Sequence, residues 1–509
     1  MQKYTFGLAY LLPQPRDILF IGVFFSMLLG GPRLFTNDGD LGRHITIGNY
    51  ILDTGAIPTS DIFSHTMYGE RLVSHEWLSQ VIFAVAYRVM GLSGDVFIAA
   101  LLGSFTILSV YQELIKRGNF RLAALFVTAW VAMISSVHWL ARPHMFTFFF
   151  VALWAYGLER FYKNEAKNFW LFPALMLIWV NTHGAFIAGF VIWGTYMADW
   201  LWEFMQGRGA KAPGLQLFLI GLLSLAVTFI NPSGGYLWET SVGYVSNDFM
   251  TSHTVEYLSP DFHERDVWPF MFMVAFALFA LMQERKIHVR EALLLAGWTV
   301  MSLYSVRNMP LFAVITAPIY GALIQPWAEK ILNWLKPAHP EQRRGTGPRE
   351  SRNVLRGYVW VVVAVLFFGF VSWRGIPMDQ KGTGNIFLPN KMPVQAVDWL
   401  EKNPQAGNMF NHFIWGGYIL YRTWPAEVVF IDGQTDFYGE ALMREYFEVI
   451  NVDAGWEAVL DKYDVAWMLI PRADKLAKSL YAVDNDAWNV IYEDDTAVIF
   501  RRDGEITAP

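Results

Sequence analysis

Long apolar runs separated by polar loops make up most of the first 373 residues. Runs of roughly 20 apolar residues are typical of helices that cross a membrane. By this criterion the pattern predicts about eleven membrane-spanning helices. They cover residues 17–34, 96–114, 122–140, 145–158, 169–180, 186–202, 215–230, 268–282, 291–305, 311–324 and 358–373.

The first polar loop, residues 37–91, contains two further helical stretches. LGRHITIGNYIL repeats its apolar residues with a helical period, and DTGAIPTSD then breaks the helix. Residues 77–90 fit either another span or a helix lying in the membrane interface. The interfacial interpretation places most loop lysines and arginines on the side of the N-terminus, as the positive-inside rule requires. We therefore expect a cytoplasmic N-terminus and an outer loop with interfacial helices.

The pattern changes after residue 373, where prolines, charges and short alternating runs appear. AEVVFIDG, VAWMLIP and TAVIFRRD are typical of strands, and VQAVDWLEKN of a helix. We predict a transmembrane domain at residues 1–373 and an extracytoplasmic α/β domain at residues 374–509. A flexible basic linker at residues 325–357 lies on the cytoplasmic side in this interpretation.

Composition agrees with a polytopic membrane protein. Of the 509 residues, 54% are hydrophobic and 17% charged, against about 25% charged in soluble domains. The N-terminus lacks a small-residue cleavage site, so we expect the first apolar run to be retained. The net charge of −6 indicates no nucleic-acid partner, and the absence of cysteine excludes disulfides and thiolate metal sites. GxGxxG, P-loop and GxSxG motifs are absent, so soluble nucleotide-sugar or ATP chemistry is not supported.

Unusual polar residues collect at one predicted face of the membrane, although they come from separate parts of the chain. Polar groups at membrane depth are costly and are therefore functional candidates. Their common side predicts a shared site at the outer face. They are Asp38, Asp40, His44, His75, Glu76, Arg142, His144, Asn181, His183, Glu256, Asp261, His263, Arg307 and Asn308.

The acidic residues of the first outer loop are the candidates for catalysis. His44 follows Asp40 by one helical turn, so both side chains project from one face. A partly desolvated carboxylate there suits a general base, which makes Asp40 the first catalytic candidate, with Asp38, His44 and Glu76 beside it. A structural interpretation stays open, because aspartates favour turns and helix caps and Glu76 favours a helix N-terminus.

Two arginines at outer helix ends, Arg142 and Arg307, are candidates for phosphate binding, since a guanidinium binds phosphate in bidentate fashion. Snorkelling to lipid headgroups is the alternative. Further candidates for binding substrate or phosphate are His75, His144, His183 and Asn308.

A divalent cation, Mg, Mn or Zn, is a further candidate partner. Asp40, His44 and Glu256 offer the carboxylate and imidazole ligands that such ions take. A tight motif such as HExxH is absent from the sequence, so the ion stays an open alternative.

Several short motifs resemble those of the GT-C integral-membrane glycosyltransferases. This group includes protein O-mannosyltransferases, lipid A aminoarabinose transferases and, more remotely, oligosaccharyltransferases. NDGDLGRH matches the position of the family's catalytic aspartate, and this resemblance implies that role for Asp40. ARPHMF and SVRNMP resemble the junctions that place Arg142 near the site and Arg307 at the lipid phosphate.

Other motifs match the GT-C pattern less fully. SHEWLSQ resembles the HPPL-type interfacial helix, although Glu76 and Trp77 stand in place of the prolines. WGGY is loosely similar to the WWDYG region of oligosaccharyltransferases but lacks the aspartate, so acceptor-sequon recognition is not carried over. Glu256 matches an acidic loop residue of those enzymes by position alone.

The resemblance implies a polytopic α-helical, GT-C-like membrane protein with a C-terminal soluble α/β domain. The implied function is transfer of a sugar from a polyprenyl-phosphate donor, whose tail lies in the bilayer, to an unidentified acceptor outside. The setting we expect is a prokaryotic inner or plasma membrane. One alternative is a non-catalytic assembly subunit that binds membrane-protein partners through its WGGY and IDGQTD segments. A transporter is disfavoured, because the polar residues collect at one face and not at mid-membrane between inverted repeats.

Overall fold

The computed structural model describes residues 12–36, 39–207, 213–282, 287–335, 358–482 and 487–503. Up to residue 373 the described chain is almost entirely helical. In chain order the helices are α1 (Pro15–Gly30), α2 (Asp40–Thr54), α3 (Trp77–Met90), α4 (Leu92–Lys116), α5 (Arg121–Ser135), α6 (His144–Tyr162), α7 (Leu171–Val180), α8 (Ile187–Met205), α9 (Gly214–Val227), α10 (Tyr236–Val245), α11 (Asp248–His253), α12 (Trp268–Leu281), α13 (Val289–Tyr304), α14 (Met309–Leu335) and α15 (Tyr358–Trp373).

Each apolar run predicted to span the membrane forms a helix, namely α1, α4 to α9 and α12 to α15. In the described part of the chain, four stretches are long and apolar enough to cross a membrane. The count of eleven spans stays a prediction. The four stretches are Pro15–Leu34, Leu92–Lys116, Arg121–His138 and Val306–Leu332. Helix α14 continues to Leu335, so the first residues of the predicted 325–357 linker are helical, and residues 336–357 lie outside the described ones.

Aromatic side chains join the apolar helices. Phe24 of α1 meets Phe97 of α4 with ring centroids 5.4 Å apart. The same ring of Phe24 meets Phe368 of α15 at 5.8 Å. Both contacts are edge-on, the arrangement that aromatic pairs favour. The first, fourth and last helices of this region thus share one core.

The two helices predicted in the first outer loop are present as α2 and α3. Helix α3 has 14 residues, so at about 1.5 Å per residue it is shorter than the roughly 30 Å hydrocarbon core. The two helices pack closely at Gly48, where an added Cβ would collide with the Gln80 carbonyl. The first outer loop is therefore an ordered part of the fold, in which α2 and α3 pack against each other.

The segment after α15 forms helices around a small sheet. The strands are β1 (Asn408–Asn411), β2 (Val465–Pro471), β3 (Trp488–Glu493) and β4 (Ala497–Arg502), in the order β1-β2-β4-β3. β1 and β2 are parallel, and the other two pairs are antiparallel. The helices are α16 (Val394–Leu400), α17 (Phe413–Thr423), α18 (Thr435–Ile450), α19 (Trp456–Lys462) and α20 (Lys475–Ala482).

Two of the three predicted strand runs, VAWMLIP and TAVIFRRD, are confirmed as β2 and β4, but the prediction for AEVVFIDG is wrong. Its backbone forms hydrogen bonds with the first outer loop instead. The Val429 amide donates to the Phe63 carbonyl at 3.0 Å, and the Val429 carbonyl accepts from the His65 amide at 3.0 Å. AEVVFIDG therefore forms one isolated β-bridge, between Ser64 and Val429, and does not join the sheet as a strand.

Helix α17 lies directly on α2 through glycines on both sides. An added Cβ at Gly39 would meet the Ile414 carbonyl, and one at Gly42 would meet the Gly417 carbonyl. Such close backbone approach needs residues without a side chain. The sheet-bearing segment is therefore docked on the helix that begins at Asp40.

Candidate functional site

Asp40 is the first residue of α2, where the partial positive charge of the helix N-terminus stabilises a carboxylate. Its Oδ2 lies 2.5 Å from Nη2 of Arg142. The other guanidinium nitrogen, Nη1, donates to Oε1 of Glu256 at 2.7 Å. One arginine therefore bridges two carboxylates that lie more than 200 residues apart in sequence.

Local structure fixes this bridge. Arg142 lies between α5 and α6, in a turn held by the Ala141 amide, which donates to the Leu34 carbonyl at 2.7 Å. The Glu256 carbonyl accepts from the Ser305 hydroxyl at 2.8 Å. The positive charge of Arg142 lowers the pKa of Glu256 below its ordinary value, so Glu256 is ionised at neutral pH.

Arg307 lies over the ring of Tyr257, with its guanidinium carbon 4.4 Å from the ring centroid. Its charge also lowers the pKa of Glu256. Arg142 and Arg307, the two arginines predicted to bind phosphate, therefore both lie near the Glu256 carboxylate. Two positive charges are thus placed at one end of the helix bundle.

Glu76 lies among three imidazoles. Its carboxylate oxygens are 3.8 Å from His44 Nδ1, 3.8 Å from His75 Nε2 and 3.7 Å from His183 Nε2. Burial raises the pKa of Glu76 and lowers that of His44, so the carboxyl holds its proton more tightly than usual and the imidazole is neutral. Glu76 precedes α3 but makes no side-chain capping hydrogen bond, which speaks against the cap interpretation.

The sequence reasoning missed a loop from the C-terminal segment, Asp432–Gly433–Gln434 within IDGQTD. Arg43 Nη1 donates to the Gln434 side chain, and Arg43 Nε lies 3.8 Å from Asp432. An added Cβ at Gly433 would collide with the Asp40 carboxylate. Burial raises the pKa of Asp432 to about 6. The available signal was the position of Arg43, a cation between Asp40 and His44 in α2.

These residues form one group, because the charges of Arg43 and Arg142 both act on Glu76, lowering its pKa against the larger effect of burial. We call the group the Asp40 cluster. It comprises Asp40, Arg43, His44, His75, Glu76, Arg142, His183, Glu256, Asp432 and Gln434.

Other predicted site residues have structural partners. His183 Nδ1 accepts from the Thr147 hydroxyl at 2.9 Å and from the Ala185 amide at 3.2 Å, which turns Nε2 towards Glu76. His144 Nε2 lies 2.7 Å from the His138 carbonyl. Asn308 donates to the Met301 carbonyl at 3.0 Å, so it ties a turn to α13. Asp38 lies outside the described residues.

The described residues do not fit a metal at the predicted ligands. Asp40 and Glu256 both contact the Arg142 guanidinium, whereas His44 faces Glu76 and the Gln80 amide. In the described ranges, no group of three or more His, Asp or Glu side chains is placed to hold an ion. Metal dependence stays a prediction.

Comparison with solved structures finds the same fold in an archaeal oligosaccharyltransferase and in ArnT, two GT-C glycosyltransferases, which confirms the predicted resemblance at the level of the fold. The archaeal oligosaccharyltransferase AglB from Archaeoglobus fulgidus, solved with an inhibitory peptide and a dolichol-phosphate, has a TM-score of 0.59 at 13% identity. The match covers 89% of this chain and 69% of AglB. Its apo form has a TM-score of 0.60 at 13% identity, covering 92% and 70%.

ArnT from Cupriavidus metallidurans, in the apo state, is similar over nearly the whole of both chains. The match covers 95% of this chain and 97% of ArnT, with a TM-score of 0.51 at 14% identity. No family model and no curated protein sequence matches the chain. At these identities the comparisons show a shared fold alone.

Proposed function

We propose that the chain is an integral-membrane glycosyltransferase that uses a polyprenyl-phosphate-linked sugar. The observation that carries the proposal is the placement of the Asp40 carboxylate, which is held between a helix N-terminus, the Arg142 guanidinium and Gly433. A carboxylate fixed from three sides keeps one orientation towards a substrate, which is what general-base catalysis requires.

In the proposed step, an acceptor hydroxyl gives its proton to Asp40 while its oxygen bonds to the anomeric carbon of the donor sugar. The bond from that carbon to the phosphate oxygen breaks on the opposite face, and the phosphate leaves with the electron pair. Arg307 and Arg142 stabilise the charge that the phosphate gains. Attack opposite the leaving group inverts the anomeric centre.

The fold similarity to AglB, which was solved with a dolichol-phosphate, supports a lipid-linked donor of this class. The donor's tail would lie in the bilayer, and the site would open on the extracytoplasmic side that the loop charges predict. The assembly-subunit alternative is weakened by burial of the WGGY segment. Trp415, Gly417 and Tyr418 are buried in the chain's own fold, so they are not available to a partner.

The test is Asp40→Asn, measured as incorporation of labelled sugar from polyprenyl-phosphate donors when native membranes supply the acceptor. Loss of the base lowers turnover by about 10²- to 10⁴-fold. Asp53→Asn is the matched control, because Asp53 lies on the same helix with its side chain 66% exposed. Turnover of Asp40→Asn close to wild type, with an unchanged melting temperature, would remove Asp40 from the mechanism.

A further inference from the structure

A chain of polar contacts runs from the buried helices α6 and α7 to Glu76. Trp179 of α7 donates from Nε1 to the hydroxyl oxygen of Thr147 in α6 at 2.9 Å. That hydroxyl lies 2.9 Å from Nδ1 of His183, whose Nε2 lies 3.7 Å from Oε1 of Glu76. Trp179, Thr147 and His183 are 0%, 1% and 8% exposed. The chain therefore links the core of the helix bundle to the Asp40 cluster.

The directions of these bonds fix which nitrogen of His183 carries the proton. The Ala185 amide also points at Nδ1, at 3.2 Å, and a backbone N–H can only donate. A proton on Nδ1 would face that N–H, so Nδ1 keeps its lone pair and accepts from Thr147 as well. A neutral imidazole carries one N–H. That N–H is therefore on Nε2, the atom that faces Glu76.

The hydroxyl of Thr147 is directed differently from those of other buried threonines in the bundle. Thr106, Thr128 and Thr316 donate to the carbonyl four residues earlier in their own helices, at 2.8, 2.7 and 2.6 Å. A helical threonine commonly satisfies its hydroxyl in this way. Thr147 bonds instead to side chains of other segments. Its hydroxyl therefore serves the orientation of His183.

His183 also stays neutral in this setting. An imidazolium carries a proton on both nitrogens, and the Ala185 amide opposes a proton on Nδ1. Burial, and after it the charge of Arg307, lower the pKa of His183 well below its ordinary value of 6.5. The other ionisable groups around it are Glu76, His75, His144 and Arg142. His183 is thus a neutral donor at neutral pH.

Glu76 connects this donor to the helix that carries the base. His183 faces Oε1, and the other carboxyl oxygen, Oε2, lies 3.8 Å from Nδ1 of His44. His44 follows Asp40 by one turn of α2. Both contacts of Glu76 are longer than hydrogen bonds, and contacts in an empty site often tighten when substrate binds. A fixed donor at Oε1 therefore sets the direction of Oε2 towards α2.

We propose that His183 is a positioning residue that holds Glu76 beside the base by donating from a neutral Nε2–H. Thr147, supported by Trp179, maintains that tautomer. The inference rests on the proposed glycosyl transfer, in which the base is Asp40. His183 exchanges no proton in the reaction, so a glutamine amide can replace it. The amide offers an acceptor oxygen to Thr147 and an N–H to Glu76.

The first experiment is ¹⁵N NMR of the full chain in lipid nanodiscs with ring-labelled histidine, where loss of a signal in His183→Gln assigns His183. We expect a proton on Nε2 and none on Nδ1 from about pH 5 to pH 8, the range in which an ordinary histidine titrates. Thr147→Val removes one of the two bonds to Nδ1, so we expect the Nδ1 signal to move. Thr147→Ser keeps the hydroxyl and the signal. Thr128→Val is the matched control, because that hydroxyl bonds within its own helix.

The second experiment separates positioning from acid/base catalysis by the transfer assay that tests Asp40→Asn. We expect His183→Leu to lower turnover by about tenfold or more, since small displacements near a reacting group are costly. We expect His183→Gln to recover most of that loss and to keep the wild-type pH profile. Thr128→Val leaves turnover unchanged. Melting temperatures show whether a loss comes from misfolding.

A proton on Nδ1 of wild-type His183, or a charged His183 at neutral pH, overturns the tautomer assignment. Wild-type turnover in His183→Leu, or equal losses in folded His183→Leu and His183→Gln, overturns the positioning role. If His183→Leu does not fold, Thr147→Val and Thr147→Ser decide, since only the valine variant loses turnover. The ring signals need no turnover, so failure of Asp40→Asn to reduce transfer would overturn the proposed function without deciding the tautomer.

Discussion

Two groups of charged side chains lie at opposite ends of α6. The Asp40 cluster lies at its start, and a second group surrounds Glu159 near its end, about 22 Å further along at 1.5 Å per residue. In the second group, Glu159 lies 3.2 Å from Arg290 and 2.9 Å from Lys163, and Arg290 lies 3.2 Å from Asp199. We call it the Glu159 cluster. It comprises Glu113, Arg117, Glu159, Arg160, Lys163, Asp199 and Arg290.

The two clusters differ in how their charged side chains are paired. Every charged side chain of the Glu159 cluster has a partner of opposite charge within it. A cavity borders this cluster, beside Arg117, Glu159 and Arg290, so a cavity alone does not indicate function. The Asp40 cluster differs because the ion-pair contacts of Glu76 are all with imidazoles, of His44, His75 and His183. Its carboxyl group is therefore not neutralised by a permanent cation as Glu159 is.

The largest effect we expect is on the Glu159 cluster. Arg290→Met leaves Glu159 and Asp199 buried with one cation fewer, and breaking a buried pair in this way costs about 3–5 kcal/mol. Chemical denaturation in detergent measures the loss. Arg88→Met is the comparison, because its pair with Asp53 is exposed and such pairs contribute about 0–1 kcal/mol. Equal losses for the two variants would contradict the structural role of the Glu159 cluster.

Gly433→Ala tests the Asp40 cluster at its tightest point. The added methyl group collides with the Asp40 carboxylate and displaces it, and a shift of about 1 Å at a reacting group costs about 10²-fold in rate. We expect turnover to fall by about that factor, with a smaller change in melting temperature. Gly243→Ala is the control, because its added Cβ meets no atom within 4 Å. Wild-type turnover in Gly433→Ala would show that this contact does not position the base.

Gly42→Ala tests the docking of α17 on α2. Its Cβ would meet the Gly417 carbonyl, a backbone atom that cannot rotate away. Overpacking of this kind costs about 1–3 kcal/mol, and separation of the helices also moves Gly433 away from Asp40. We expect a lower melting temperature together with reduced turnover. A stability loss with full activity would show that the site does not depend on this crossing.

The smallest effect we expect is a pH dependence of folding stability caused by Glu76. Burial raises the pKa of Glu76 above its ordinary value of 4.5. The unfolded chain therefore releases this proton before the folded chain does, and wild type loses stability as pH rises above about 4.5. Glu76→Gln cannot ionise and lacks this loss. We expect the melting temperature of the variant to equal that of wild type near pH 4 and to exceed it at pH 8. The same difference at both pH values would contradict the assignment.

Much of the helical framework followed from sequence periodicity. An apolar run long enough to cross a bilayer has few alternatives to a helix, because lipid offers no partner to its backbone groups. The same reasoning found α2 and α3, whose apolar residues recur with a helical period. The strand prediction failed at AEVVFIDG. Alternating apolar and polar residues predict an extended backbone, but they do not show which segment that backbone will hydrogen-bond with. Only the fold assigned that backbone to Phe63 and His65 of the first outer loop.

The candidate site, like the fold, was predictable from the sequence only in part. Sequence alone determined that acids, histidines and arginines collect at one end of the apolar helices, because charge placement and hydropathy are local properties. Only the tertiary structure decided that Arg142 bridges Asp40 and Glu256, and that Gly433 approaches Asp40. These contacts join residues more than 100 positions apart, and no local pattern encodes them. Packing of α17 on α2 brings them together.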